Sequence, residues 1–186
     1  MRDSKTTRPN PRDAILEAGL SLLGDDPRAP LAQVAERAGV GRATLHRYFK
    51  SREELMREIA LASIREIDAA VAGLHDKADS AIHLLELAIE AIVPLGDRFH
   101  FLAKETWLAT DPTLKEGLDR QLASLTDLVE HCKAEGALDA TVPTAWIVGA
   151  IDSLIYAAWS LVATGHVAPR DTSSLLLRTL LKGVSP

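Results

Sequence analysis

Apolar residues return along this chain at intervals of three and four, which predicts helices from end to end. Between Pro11 and Leu23, one face collects Ile15, Ala18, Gly19, Leu22 and Leu23, and Gly24, Asp25, Asp26 and Pro27 follow as a stop. A short second helix is expected over Leu31 to Ala38, with Pro30 at its first position. Its inner face would be Leu31, Val34, Ala35 and Ala38, leaving Gln33, Glu36 and Arg37 outward. Gly39 supplies a permissive backbone for a tight turn, Val40 fills the space beneath it, and a third short helix runs from Arg42 to Phe49. Two short helices around such a turn make a helix-turn-helix pattern.

Ser51, with Glu54 three residues on, announces a fourth helix by a capping box. It is predicted to reach Leu74, with Ala60, Ile64, Ile67, Val71 and Leu74 along its apolar side. A boundary within it separates a head, residues 1–57, from a body, residues 58–186. The body predicts further helices over 78–95, 97–109, 112–135, 143–164 and 170–182. The expected fold is therefore all-α, with about nine helices, a three-helix head and a helical body. No internal repeat or low-complexity tract interrupts it.

Composition adds little to the fold but much to the charge picture. Of 186 residues, 47% are hydrophobic and only 4% aromatic, and Ala and Leu, both good helix formers, dominate. The net charge of −5 argues against a protein that binds nucleic acid over its whole surface. The charge is unevenly spread, however. Residues 1–57 hold eleven Lys/Arg against eight Asp/Glu, whereas the rest hold ten against eighteen. From Arg28 to Arg52 there are six basic residues and a single acid, Glu36. A basic head on an acidic body suits a protein that docks on phosphate with one end only.

The third helix would present Arg42, Thr44, His46 and Arg47 while Ala43, Leu45 and Phe49 face the head. At about two turns it is too short to be stable alone, so its scaffold must hold it out. Arginine forks suit guanine edges, and Thr and His suit phosphate oxygens. The stretch Leu31–Leu55 resembles the head of the tetracycline-repressor (TetR) family through Val34, Ala35, Ala38, Gly39, Val40, Thr44, Leu45, Phe49 and Leu55. The resemblance covers about residues 11–57. Four positions depart from it: Pro30 replaces a capping Thr, Gly41 a capping Ser, His46 a Tyr and Arg52 a Lys. The implied contacts to double-stranded DNA fall on Arg28, Gly41, Arg42, Ala43, Thr44, His46, Arg47, Lys50 and Arg52.

The same resemblance implies that the fifth to seventh helices, with part of the eighth, enclose a small-molecule effector pocket. Candidate lining residues are Phe99, Phe101, Trp107, Trp146, Asp152, Tyr156 and Trp159, a set suited to a mostly apolar effector. Asp152 and Tyr156, four residues apart on one helix, are placed to bond each other or a ligand. The resemblance further implies that the last two helices pair with those of a second copy. The sequence supports this independently, because Asp152 is the one formally charged residue between Ala140 and Pro169. A helix apolar nearly all round needs cover on both faces. Ile151, Leu154, Leu161, Leu176, Leu177, Leu180 and Leu181 are the expected interface residues of a homodimer. Such a pair would read a near-palindromic operator and, as is usual in the family, repress.

A membrane span is the rival reading of that helix. Asp152 at its middle and the lack of aromatic-basic flanks disfavour it, and no membrane is expected. The six histidines show no His-Glu-x-x-His pattern, and Asp79 with His83 reads better as a solvated helix start than as a metal pair. No nucleophile elbow or phosphate-cradling loop occurs. Catalysis, cofactors and metals are therefore not expected. A lone cysteine, Cys132, and a polar N-terminus without a signal-type apolar stretch point to the cytoplasm. The remaining alternative is a helical protein-binding adaptor that does not touch DNA.

Overall fold

The computed structural model describes residues 10–26, 28–104 and 110–184. Among them are nine α-helices and no strand. They divide into two compact units, Met1–Ala62 and Ser63–Pro186. The polar N-terminus before Asn10 lies outside the described residues.

In the first unit, α1 (Pro11–Asp25), α2 (Leu31–Arg37), α3 (Arg42–Tyr48) and the start of α4 (Arg52–Val71) surround one core. The Asn10 side chain caps α1 by accepting from the Arg12 N–H at 3.1 Å. Ile15, Leu23, Val34, Leu45, Phe49, Leu55 and Ile59 are all but closed to solvent. Gly19 lets α1 and α4 approach, since a Cβ there would come 2.7 Å from the Ile59 Cδ1. Pro30 is not the first helical residue of α2 but its cap, with extended backbone and no side-chain hydrogen bond.

The second unit contains the last turns of α4, then α5 (Ala81–Ile92), α6 (Gly96–Lys104), α7 (Pro112–Ala134), α8 (Thr144–Ala163) and α9 (Pro169–Val184). Helix α4 stops at Val71, three residues earlier than its periodicity predicts. Gly73 follows with φ +72°, and His75–Lys77 form a separate 3₁₀ turn. The expected helix over 78–95 is shorter as well. Ser80 caps it at Ala81, and Val93–Leu95 tighten into a 3₁₀ turn around Pro94. Asp111 caps α7 by accepting from the N–H groups of Thr113 and Leu114.

The body core gathers Leu85, Ile89, Val129, Cys132, Leu138, Ile147, Val148, Ile151, Ile155, Leu176 and Leu180 from α5, α7, α8 and α9. By length and composition alone, Thr144–Ala163 could cross a membrane, yet only 28% of it is buried within the protomer. Much of the rest of this apolar helix is only half-covered or exposed among the described residues.

Candidate nucleic-acid interface and body cavity

The head builds its exposed helix from a turn closed by two backbone hydrogen bonds. The Val40 N–H donates to the Ala35 carbonyl and the Gly39 N–H to the Glu36 carbonyl, at 2.9 and 3.0 Å. This is the paired closure of a helix by a left-handed residue, and Gly39 takes that role with φ +67°. The chain then re-enters a helix at Gly41, which caps α3 without any side-chain hydrogen bond. Leu45 and Phe49 plug the helix into the core, each about 1% exposed.

With those two residues inward, Gly41, Arg42, Ala43, His46 and Arg47 are exposed together, and Thr44 is half-buried. The Arg47 guanidinium lies 5.3 Å from the centre of the Tyr48 ring, which steadies it without neutralising it. Lys50 is exposed too, and its backbone N–H donates to Glu54 at 2.7 Å. The Glu54 N–H in turn donates to Ser51 Oγ at 3.2 Å. The capping box is thus present, displaced by one residue on its return bond. Arg28 is exposed, and its N–H donates to Asp26.

Arg52 departs from expectation. Its guanidinium donates to the Ala29 carbonyl at 2.6 Å, so part of its hydrogen-bonding capacity ties the entry of α2 to the start of α4. Arg12 is a cation that sequence reasoning overlooked. It pairs with Glu58 and sits 5.6 Å from the centre of the Phe49 ring, bracing the residue that anchors α3. Its spacing from Phe49 and Glu58 in sequence carried no signal of this.

The body holds a cavity of about 600 Å³. Apolar residues of α5 and α7 line it, among them Leu85, Ile89, Leu118 and Leu125, together with Ile67 of α4. Its polar groups are Asp119, Gln121, Asp152, Ser153 and Tyr156. Gln121 is already engaged, donating to Asp68 Oδ1 and to the Ile64 carbonyl. Asp119 pairs with Lys115 one turn away. Asp152 has no hydrogen-bond or ion-pair partner among the described residues, and burial holds its carboxyl above the ordinary carboxylate value. Asp152 and Tyr156 share the cavity wall but do not bond each other.

The other expected pocket residues scatter. Trp146 points outward, 71% exposed. Trp159 packs on the α6 backbone, where a Cβ on Gly96 would lie 2.6 Å from the Trp159 Cβ. Phe101 is fully buried but is not among the lining residues. Trp107 and the side chain of Phe99 lie outside the described residues. Of the expected interface residues, Ile151, Leu176 and Leu180 are closed inside the protomer's own core. Leu154, Leu177 and Leu181 are half-buried against that core, and Leu161 is exposed. The outward face of α8 instead carries Ala145, Trp146, Gly149, Ser153, Tyr156, Ala157 and Leu161. Their spacing of three and four marks one continuous stripe.

Two further titratable groups are perturbed by their surroundings. Asp79 and His83 bond each other at 2.7 Å at the exposed start of α5, which lowers the Asp79 carboxyl. The Cys132 thiol is pushed up to about 11 by burial and by the nearby Glu135 carboxylate. Among the described residues no group of three or more His, Cys, Asp or Glu is placed to hold a metal ion.

Comparison with known proteins places this geometry. Residues 15–59 match the family of bacterial regulatory proteins, tetR family. Over 164 residues the chain is 27% identical to the HTH-type transcriptional repressor LfrR of Mycolicibacterium smegmatis, covering 88% of this chain and 82% of that repressor. The fold is similar to the TetR-like transcriptional regulator LfrR from Mycobacterium smegmatis in complex with proflavine. That likeness has a TM-score of 0.74 at 25% identity and covers 97% of this chain and 99% of that one. The ketosteroid transcriptional regulator KstR2 of Mycobacterium tuberculosis shares the fold at a TM-score of 0.76 and 17% identity, with 96% of each chain covered.

Proposed function

Taking the chain as a DNA-binding regulator of the TetR family, we propose that it represses transcription as a homodimer and is released by a small effector. The exposed face of α3 carries this reading. Arg42, Ala43, His46 and Arg47 stand clear of a core that holds the helix through Leu45 and Phe49. In the proposed mode, Arg42 and Arg47 reach base edges, while Thr44, His46, Lys50 and Arg28 contact phosphates. Arg52 contributes less to phosphate binding than a free cation would, because it is tied to Ala29. The head, residues 1–57, reads DNA, and residues 58–186 bind effector and pair.

Pairing is supported by the apolar stripe of α8 and the neighbouring exposed Leu175 of α9. In a two-fold dimer the reading helices would sit about 34–36 Å apart, one duplex turn, and the operator would be near-palindromic. The relative crystallised with proflavine supports a small-molecule effector, and the 600 Å³ cavity falls within the size range of such sites. A route from effector to head is available through α4. Ile67 of that helix lines the cavity, and Glu66 and Asp68 are held by Arg98 and Arg120 at 2.7 and 2.6 Å. An occupant that preferred a displaced α4 would lower DNA affinity by the same factor by which DNA lowers its own. Solubility of such regulators favours a cytoplasmic location, and no catalytic role is proposed.

The test is a binding titration of the full chain against duplexes selected from a random pool, repeated at rising salt. Affinity is expected to fall steeply with salt, by about 0.9 log unit per phosphate contact per log unit of salt. Arg42→Ala with Arg47→Ala is expected to erase sequence preference. No selected duplex, or binding indifferent to salt, would favour a protein-binding adaptor instead.

A further inference from the structure

We propose that the body cavity selects an organic cation with an apolar frame, and that the Asp152 carboxylate is its counter-ion. This rests on the reading of the cavity as the effector site and goes one step further, to the charge of the occupant.

The lining residues limit what an occupant can be. Apart from five polar side chains the wall is aliphatic, which supplies contact area without direction. None of the described lining residues is Lys or Arg, so among them an anionic ligand would find no partner for its charge. Gln121 spends its amide on Asp68 and the Ile64 carbonyl, and Asp119 has Lys115 beside it. Asp152 is different. It is the one formal charge between Ala140 and Pro169, it lines the cavity, and no described residue satisfies it. A half-buried carboxylate with no partner is unfavourable, and a bound cation removes that cost directly. A neutral apolar ligand would bury the carboxylate further and worsen it.

Asp152 makes its side of the cavity negative, while the charge of Asp119 is offset by Lys115. The acidic excess of the body, with ten basic against eighteen acidic residues beyond position 57, acts in the same direction as Asp152. Tyr156 lies one turn from Asp152 on the same wall and adds an aromatic side chain to it.

Three tricyclic probes of nearly equal shape separate charge from fit: N-methylacridinium, acridine held neutral at pH 8, and acridine-9-carboxylate. Binding to the full-length protein and to its Asp152→Asn variant is followed by probe fluorescence, with release of the selected duplex as a second readout. The cation is expected to bind the unaltered protein about tenfold tighter than neutral acridine, and the carboxylate weakest. In Asp152→Asn the cation should lose about tenfold while neutral acridine keeps or gains affinity. Equal binding and equal DNA release by cation and neutral probe would overturn the charge assignment and leave the effector site standing. Equal losses for both probes in the variant would also overturn it. Failure of all three probes to bind would overturn both readings.

Discussion

Arg52 reaches back 23 residues to donate to the Ala29 carbonyl at 2.6 Å, joining the first residue of α4 to the strap that enters α2. A cationic position that the family resemblance assigns to phosphate is thereby drawn into holding the head together. Arg52→Met should cost the head about 1 kcal/mol, the net worth of one typical intramolecular hydrogen bond. The consequence to measure is amide hydrogen exchange over residues 28–38, expected to quicken about fivefold. Unchanged exchange there, with a loss of DNA affinity, would return Arg52 to a purely phosphate-facing role.

Gly39 lies in open space, where a Cβ would meet nothing within 4 Å, so its demand is one of backbone alone. At φ +67°, Gly39→Ala should destabilise the head by about 1–2 kcal/mol, while Gly39→Asn should lose less than half of that. Thermal unfolding of the two variants checks the order. Equal losses would point to a side-chain clash and contradict the open surroundings.

Asp152 makes stability depend on pH with a definite sign. Its folded carboxyl is raised by burial, so folding favours the protonated form. That contribution is complete below the unfolded carboxyl's value and is lost as pH climbs through the folded one. At neutral pH the ionised group is a net burden. Asp152→Asn should therefore raise stability at pH 7, by under about 1 kcal/mol because water still reaches the group. The gain should shrink as pH falls and vanish only below the unfolded carboxyl's value, which paired melting curves at several pH values would reveal.

Trp146 is 71% exposed and Leu161 43% exposed on α8, so charging them leaves the protomer core intact. Trp146→Glu together with Leu161→Glu should give a folded monomer by analytical ultracentrifugation, with unchanged helical circular dichroism. Its DNA affinity should drop at least about a hundredfold, since two half-sites are no longer engaged at once. A persistent dimer would place the pairing surface elsewhere.

The parts legible in the sequence were those set by punctuation and by one-sided faces. Gly39, Ser51 with Glu54, and Asp111 with Pro112 fixed helix ends because each residue type does something the backbone needs at that point. Ile15, Val34, Leu45 and Phe49 were legible as core because polar neighbours marked the opposite face. In α8 and α9 that contrast disappears. When both faces are apolar, periodicity groups residues into stripes without saying which stripe is inside. Ile151, Leu176 and Leu180 were accordingly placed outward when they close the core. Trp146 and Trp159 illustrate the same loss, since an indole suits a surface, a core or a pocket equally. Long-range partners such as Arg12 with Glu58 leave no local pattern at all.

Neither Pro30 nor Gly41 lends a side chain to the helix it begins, so α3 holds its shape by the grip of Leu45 and Phe49. If a phosphate met the free end of these seven residues on DNA binding, some of the attraction would be consumed in ordering them. Residence on the operator is expected to be short for a given equilibrium preference. Transcription under such control would follow the effector level closely in time, behaving as a dimmer more than a latch.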